Sequence, residues 1–87
     1  MTSKKYTIKV EITVFIKSIT FLVNVASEFS SNIKINANGH TADAKSIINV
    51  MALGIKENTE IEVIAEGDDE QDALRKIDKV LKEQSLI

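Results

Sequence analysis

The strand-like runs of this chain all alternate, and that habit limits what it can build. Tyr6, Ile8, Val10, Ile12 and Val14 are apolar, and Thr7, Lys9, Glu11 and Thr13 between them are polar. Ile33, Ile35 and Ala37 alternate with Lys34 and Asn36; Ile61, Val63 and Ala65 alternate with Glu60, Glu62 and Glu66. Successive side chains of a strand point to opposite faces, so each run has one face to bury and one for water. A sheet of such strands is covered on one side only and is largely antiparallel. Any helices must therefore share the covered side.

The turns and helical stretches fill in the order. Residues 6–14 form the first strand. Ile16, Ile19, Leu22, Val23, Ala26 and Phe29 then recur at helical spacing, with Lys17, Ser18, Asn24 and Glu28 off the stripe. Ser30, Ser31 and Asn32 make a turn into a second strand, 33–37. Asn38-Gly39 supplies the two positive-φ positions of a type I′ hairpin turn. His40–Asp43 returns with Ala42 on one face, a helix follows Ser46, and 60–66 is the fourth strand, with Ile64 out of pattern. Asp68 and Gln71 make a capping-box-like pair ahead of Ala73, Leu74, Ile77, Val80 and Leu81. The expected fold is an α+β open-faced two-layer sandwich, β-α-β-β-α-β-α, in one domain over residues 1–87.

Composition removes several function classes. Among 87 residues there is no cysteine and one histidine, so a disulfide is excluded and a zinc site is not expected. The net charge of −2 gives no basic footprint for nucleic acid. The acidic run at Asp68, Asp69, Glu70 and Asp72 lacks calcium-loop spacing and suits a helix N-terminus. No stretch is long enough to span a bilayer, and the start of the chain carries no apolar leader. A cytoplasmic protein without cofactor or metal is the expectation, and no enzyme motif is present.

The stretch with the most chemistry is Lys45-Ser46-Ile47-Ile48-Asn49-Val50-Met51-Ala52-Leu53-Gly54. Ser46 stands where a helix N-cap belongs, and Gly54 ends the run. The free N–H groups and dipole of a first helical turn favour a phosphate on such a hydroxyl. Ile47, Ile48 and Met51 fall on neighbouring helical positions and form an apolar patch beside it. A modifiable oxygen next to such a patch has the makings of a regulated docking surface. His40, after the hairpin glycine, has no cap or cation placed beside it and reads as a solvated turn residue.

With these residues in place the chain resembles the HPr family, the small phosphocarriers of the bacterial sugar phosphotransferase system, and the related Crh-type regulators. The resemblance runs over essentially the whole chain without a gap. Its strongest part is the Ser46 stretch, supported by Asn38-Gly39 and by Glu66-Gly67-Asp68-Asp69-Glu70-Gln71-Asp72-Ala73-Leu74. It implies a four-stranded antiparallel sheet of order 1-4-2-3. It also implies where phosphate chemistry belongs, and there the chain departs from its family. Carriers have Gly-Leu/Ile-His-Ala-Arg-Pro at the start of the first helix, and the imidazole takes phosphate from enzyme I. The aligned segment here is Thr13-Val14-Phe15-Ile16-Lys17-Ser18. Phe15 has no lone pair to accept a phosphoryl group. Lys17 keeps the charge of the family's arginine without its bidentate fork. Crh-type members also lack the histidine but keep the neighbouring glycine and arginine.

The resemblance therefore implies a protein without carrier activity, regulating sugar transport or carbon catabolite repression through Ser46. Its implied partners are an HPr-type serine kinase/phosphorylase and a catabolite-repression transcription factor. The residues expected at the partner surface are Ile47, Ile48, Met51, Lys17 and Phe15. A fold-only interaction module that is never phosphorylated is the alternative, and a carrier using another residue is the second. A long first strand joined to its helix without glycine also suggests a strand-swapped homodimer.

Overall fold

The computed structural model describes residues 1–87. The elements are β1 (Thr2–Thr7), α1 (Ile12–Ala26), β2 (Asn32–Ala37), β3 (His40–Asp43), α2 (Ile47–Met51), β4 (Glu60–Glu66) and α3 (Glu70–Glu83). The strands form one sheet of order β1-β4-β2-β3 with every neighbouring pair antiparallel. The expected architecture and strand order are both present. Alternation works as anticipated: Ile33, Ile35, Ala37, Ile61, Val63 and Ala65 are buried, while Lys34, Glu60 and Glu66 are exposed. Ile64 is half-buried on the open face, near Met1. The inward strand faces meet the three helices in one core of 24 buried hydrophobic residues. Asn38 and Gly39 take φ of 53° and 79°, the left-handed pair that a type I′ turn needs.

The first strand is corrected. It occupies Thr2–Thr7, not 6–14, and helix begins at Ile12. β1 is an edge strand whose one neighbour is β4, and Thr7 pairs with Glu60, the first residue of β4. Beyond that point the ladder has no partner to extend it. Ile8 and Val10 become buried and half-buried residues of the β1–α1 connection. The connection is itself pinned: Ile8 N–H donates to Thr59 O at 2.9 Å, Asn58 N–H to Ile8 O at 2.7 Å, and Lys9 N–H to Leu86 O at 2.8 Å. Ile12 and Val14 belong to the helix, where both are exposed. The buried stripe of α1 is Phe15, Ile19, Leu22, Val23, Val25 and Ala26, so Phe15 takes the place expected for Ile16.

The α3 cap also differs from expectation. Asp69, not Asp68, is the N-cap residue, and its carboxylate makes no capping bond to the helix. It accepts instead from Ser30 N–H and Ser31 N–H, both at 2.9 Å, and from the Ser31 hydroxyl. The Ser31 hydroxyl and then the Ser30 amide hold the Asp69 carboxyl down at about 2. Glu70, not Gln71, closes the reciprocal bond, accepting from Gly67 N–H at 3.2 Å. At the other end of the sheet edge, the Tyr6 hydroxyl donates to Asp78 at 2.7 Å, and Lys4 and Lys82 flank the same carboxylate. Lys82 first, then Tyr6, holds Asp78 well below the usual carboxylate range, while burial and Asp78 push the Tyr6 phenol up.

Candidate functional site

The entry to α2 is built by its flanks. Ala44 is buried and its N–H donates to Ile33 O at 2.9 Å, which ties the β3–α2 connection to β2. Asp43 accepts from Lys45 N–H at 2.9 Å through its side chain and from Ser46 N–H at 3.0 Å through its carbonyl. Lys45 is drawn sideways to donate to Phe29 O at 2.7 Å. Ser46 is left extended, φ −118° and ψ 114°, and its hydroxyl oxygen accepts from Asn49 N–H at 3.3 Å. That is the N-cap arrangement expected from the sequence. The helix spans only five residues, and its far end is held by Asn38 Nδ2, donating to Leu53 O at 2.9 Å and Gly54 O at 3.2 Å. Ser46 is half-exposed, so a reagent in solvent can reach its oxygen.

An apolar surface adjoins it. Val50 points into the core, fully buried, which turns Ile47, Ile48 and Met51 outward; Ile48 is 79% exposed. Facing them, α1 contributes Ile12 and Ile16, both exposed. Ile12, Phe15, Ile16, Ile19, Val50, Met51 and Ile55 line a small cleft of about 30 Å³ between the two helices, with no polar residue among them. Ile12 and Ile16 were not legible as surface residues, because the sequence assigned one to a strand's buried face and the other to the helix's buried stripe. The overlooked signal is the spacing 12, 15, 16, 19, which is already helical.

The remaining expected site residues separate. Phe15 is only 2% exposed and packs in the core, so it offers no docking surface; the helical register that buries Ile19 and Leu22 buries it too. Lys17 is exposed and belongs to no ion pair. It lies about 100° further around α1 than Ile16, on the side away from the cleft lining. The N-cap of α1 is Glu11, whose side chain makes no capping bond, and Val14 and Phe15 N–H both donate to Glu11 O. The residue at this helix entry therefore carries a negative charge and offers no hydroxyl. Thr13 is the one hydroxyl in that first turn. A phosphate ester on an aliphatic alcohol is a poor phosphoryl donor, so Thr13 is no chemical equivalent of a phosphate-accepting imidazole. His40 lies elsewhere, exposed in a depression shared with Thr41, Asn49, Ala52 and Leu53.

The family model PTS-HPr, described as the PTS HPr component phosphorylation site, matches residues 2–83. The chain is similar to the histidine-containing phosphocarrier protein of Mycoplasma, with 36% identity over 99% of this chain and 98% of that one and a TM-score of 0.94. HPr of Thermoanaerobacter tengcongensis matches at 28% identity over 97% and 94%, TM-score 0.89. Crh of Bacillus subtilis, whose crystal structure is described as a swapped dimer, matches at 29% identity over 91% and 86%, TM-score 0.72.

Proposed function

The chain belongs to the PTS-HPr family, and we propose that within it the protein is a regulatory member, switched at Ser46 and without carrier activity. One observation carries this reading. The ring at the family's phosphate-accepting position, Phe15, is buried, while the Ser46 hydroxyl is half-exposed at a helix cap beside an apolar surface. In the reaction an HPr-type serine kinase/phosphorylase transfers the γ-phosphoryl group of ATP. The bond from Ser46 Oγ to phosphorus forms, the bond to the bridging oxygen breaks, ADP leaves, and the serine proton passes to the kinase's base. The new phosphate meets the first-turn N–H groups of α2, which favour an anion. It adds roughly two negative charges next to Ile47, Ile48 and Met51. A partner that needs both an apolar and an anionic contact then reads the modified form. A catabolite-repression transcription factor in the cytoplasm fits that role.

Incubation with an HPr-type serine kinase and ATP, followed by intact mass, tests the proposal. One added phosphate is expected, and none on Ser46→Ala. No mass change on the wild type removes the reading. Equal partner capture by wild type and Ser46→Ala favours a fold-only interaction module. An acid-labile label from enzyme I would restore a carrier.

Self-association follows the same comparison. β1 is an edge strand, as a strand that exchanges must be, but exchange here must also break the three backbone bonds that pin Ile8, Lys9 and Asn58. Light scattering that reports a dimer at high concentration supports a strand-swapped homodimer of the Crh kind; a monomer throughout removes it.

A further inference from the structure

We infer that the outer face of α3, together with Phe29, is a second docking groove, and that it takes an acidic peptide segment carrying an apolar side chain. Phe29, Asp72, Arg75, Lys76 and Lys79 line an open groove of about 310 Å³. Phe29 is half-buried and packs against the core, so its ring is a fixed wall. The other four residues are exposed along two turns of α3. Arg75 is paired with Asp72 at 3.0 Å, while Lys76 and Lys79 belong to no ion pair. Three carboxylates in and beside α3 are engaged elsewhere: Asp69 with Ser30 and Ser31, Glu70 with the N-terminal ammonium, Asp78 with Lys4, Lys82 and Tyr6; Glu83, one turn beyond Lys79, is in no ion pair and does not line the groove.

Charge is therefore segregated. Three cations against one carboxylate give the groove +2, in a chain whose total is −2, so the rest of the molecule carries −4. An acidic segment is steered to this face and repelled by the remainder. The donors decide what kind of anion fits. A compact phosphate needs converging donors, preferably backbone N–H groups, and this groove presents separate side-chain heads. Arg75 and Lys79 are about 6 Å apart along the helix. Carboxylates two residues apart on an extended chain lie about 6.6 Å apart on one side. An apolar residue at the next alternate position would rest against the phenyl ring and the lysine stems. The α1–α2 cleft shares no lining residue with this groove, so one partner can use both faces or two partners one each.

The test is amide chemical-shift mapping on the intact chain. The probes are a peptide alternating leucine and glutamate between serines, its glutamine counterpart, and one with leucine replaced by serine. The expected result is shifts at Arg75–Lys79 and Phe29, strongest with the leucine–glutamate peptide. Affinity should weaken about fivefold or more between low salt and 0.5 M salt. Lys76→Glu combined with Lys79→Glu should abolish the shifts; both side chains are exposed, and an unchanged spectrum elsewhere reports an intact fold. No shift at millimolar peptide overturns the inference, as does equal binding of the glutamine peptide. So does tighter binding of inorganic phosphate or an oligonucleotide at the same residues. The serine kinase assay is independent of all these arms, so this groove and the Ser46 proposal fail separately.

Discussion

Two helix entries flank the same apolar cleft, and they are equipped differently. α2 opens on Ser46, whose hydroxyl accepts from its own first turn, and the next apolar residues stand in solvent. α1 opens on Glu11, whose side chain caps nothing, and its first-turn aromatic, Phe15, is in the core. Both ends expose free N–H groups and the positive end of a dipole. The backbone offers an anion the same invitation at each. What differs is the residue at the threshold, so the proposed phosphate site is assigned to one side chain and not to a helix end.

The hardest way to break this comparison is at Phe15. If the ring is core, Phe15→Ala should cost about 3–5 kcal/mol in urea unfolding, because it removes a large buried side chain and leaves a cavity. Phe15→His should also destabilise, since an imidazole placed there brings polar nitrogens without partners, and it should gain no acid-labile phosphate from enzyme I. A stable histidine variant that carries phosphate would show that the α1 entry is still equipped and that the contrast is wrong.

The entry of α3 sharpens the comparison, because there a carboxylate at the N-cap is fully used. Gly67 has φ of +151°, and an added Cβ would lie 2.6 Å from Ser31 Oγ and 2.8 Å from Ser31 Cα. Gly67→Ala should cost about 3 kcal/mol from backbone strain and this overlap, read as a lower urea midpoint. Asp69 is one of the carboxylates that shape the acid limb. Its folded value, about 2, lies below its ordinary 3.8. Its contribution is therefore present above pH 3.8 and lost as pH falls toward 2. Asp69→Asn should lower Tm at neutral pH and flatten the acid limb over that window.

The contrast also separates what the sequence exposed from what it hid. Ser46, the Asn38-Gly39 turn and the strands around Ile35 and Val63 were readable because each depends on chemistry within a few residues. Hydroxyl capping, positive φ and alternation are local rules. The β1 boundary was not local. Alternation continues through Val14, and the strand stops at Thr7 because β4 begins at Glu60 opposite it, 53 positions away in the chain. That error carried Ile12 to the wrong element and hid half of the apolar cleft. Asp69 was missed for the same reason: its partners, Ser30 and Ser31, come from the other side of the fold.

Smaller effects test the thresholds themselves. Ser46→Ala should lower stability by about 1 kcal/mol, the usual cost of a lost hydroxyl cap, with the fold and the apolar surface unchanged. A loss near zero would mean that the 3.3 Å bond to Asn49 contributes little to stability.

The smallest effect is the converse change, Glu11→Ser. Glu11 already has the extended backbone of an N-cap, φ −63° and ψ 156°. A serine there can accept from Thr13 N–H without moving the chain, Val14 N–H being already bonded to the carbonyl of residue 11. It also gives up a favourable charge at the positive end of α1. The net gain should be about 0.5 kcal/mol, visible as a small rise in the urea midpoint. The more telling readout is the amide shifts of Ile12 and Thr13 on adding inorganic phosphate. Wild type should show none, and Glu11→Ser should show weak ones, since the substitution removes a negative charge beside the helix end. If both stay silent, the carboxylate is not what closes the α1 entry, and the difference between the two thresholds must be sought in the apolar residues around them.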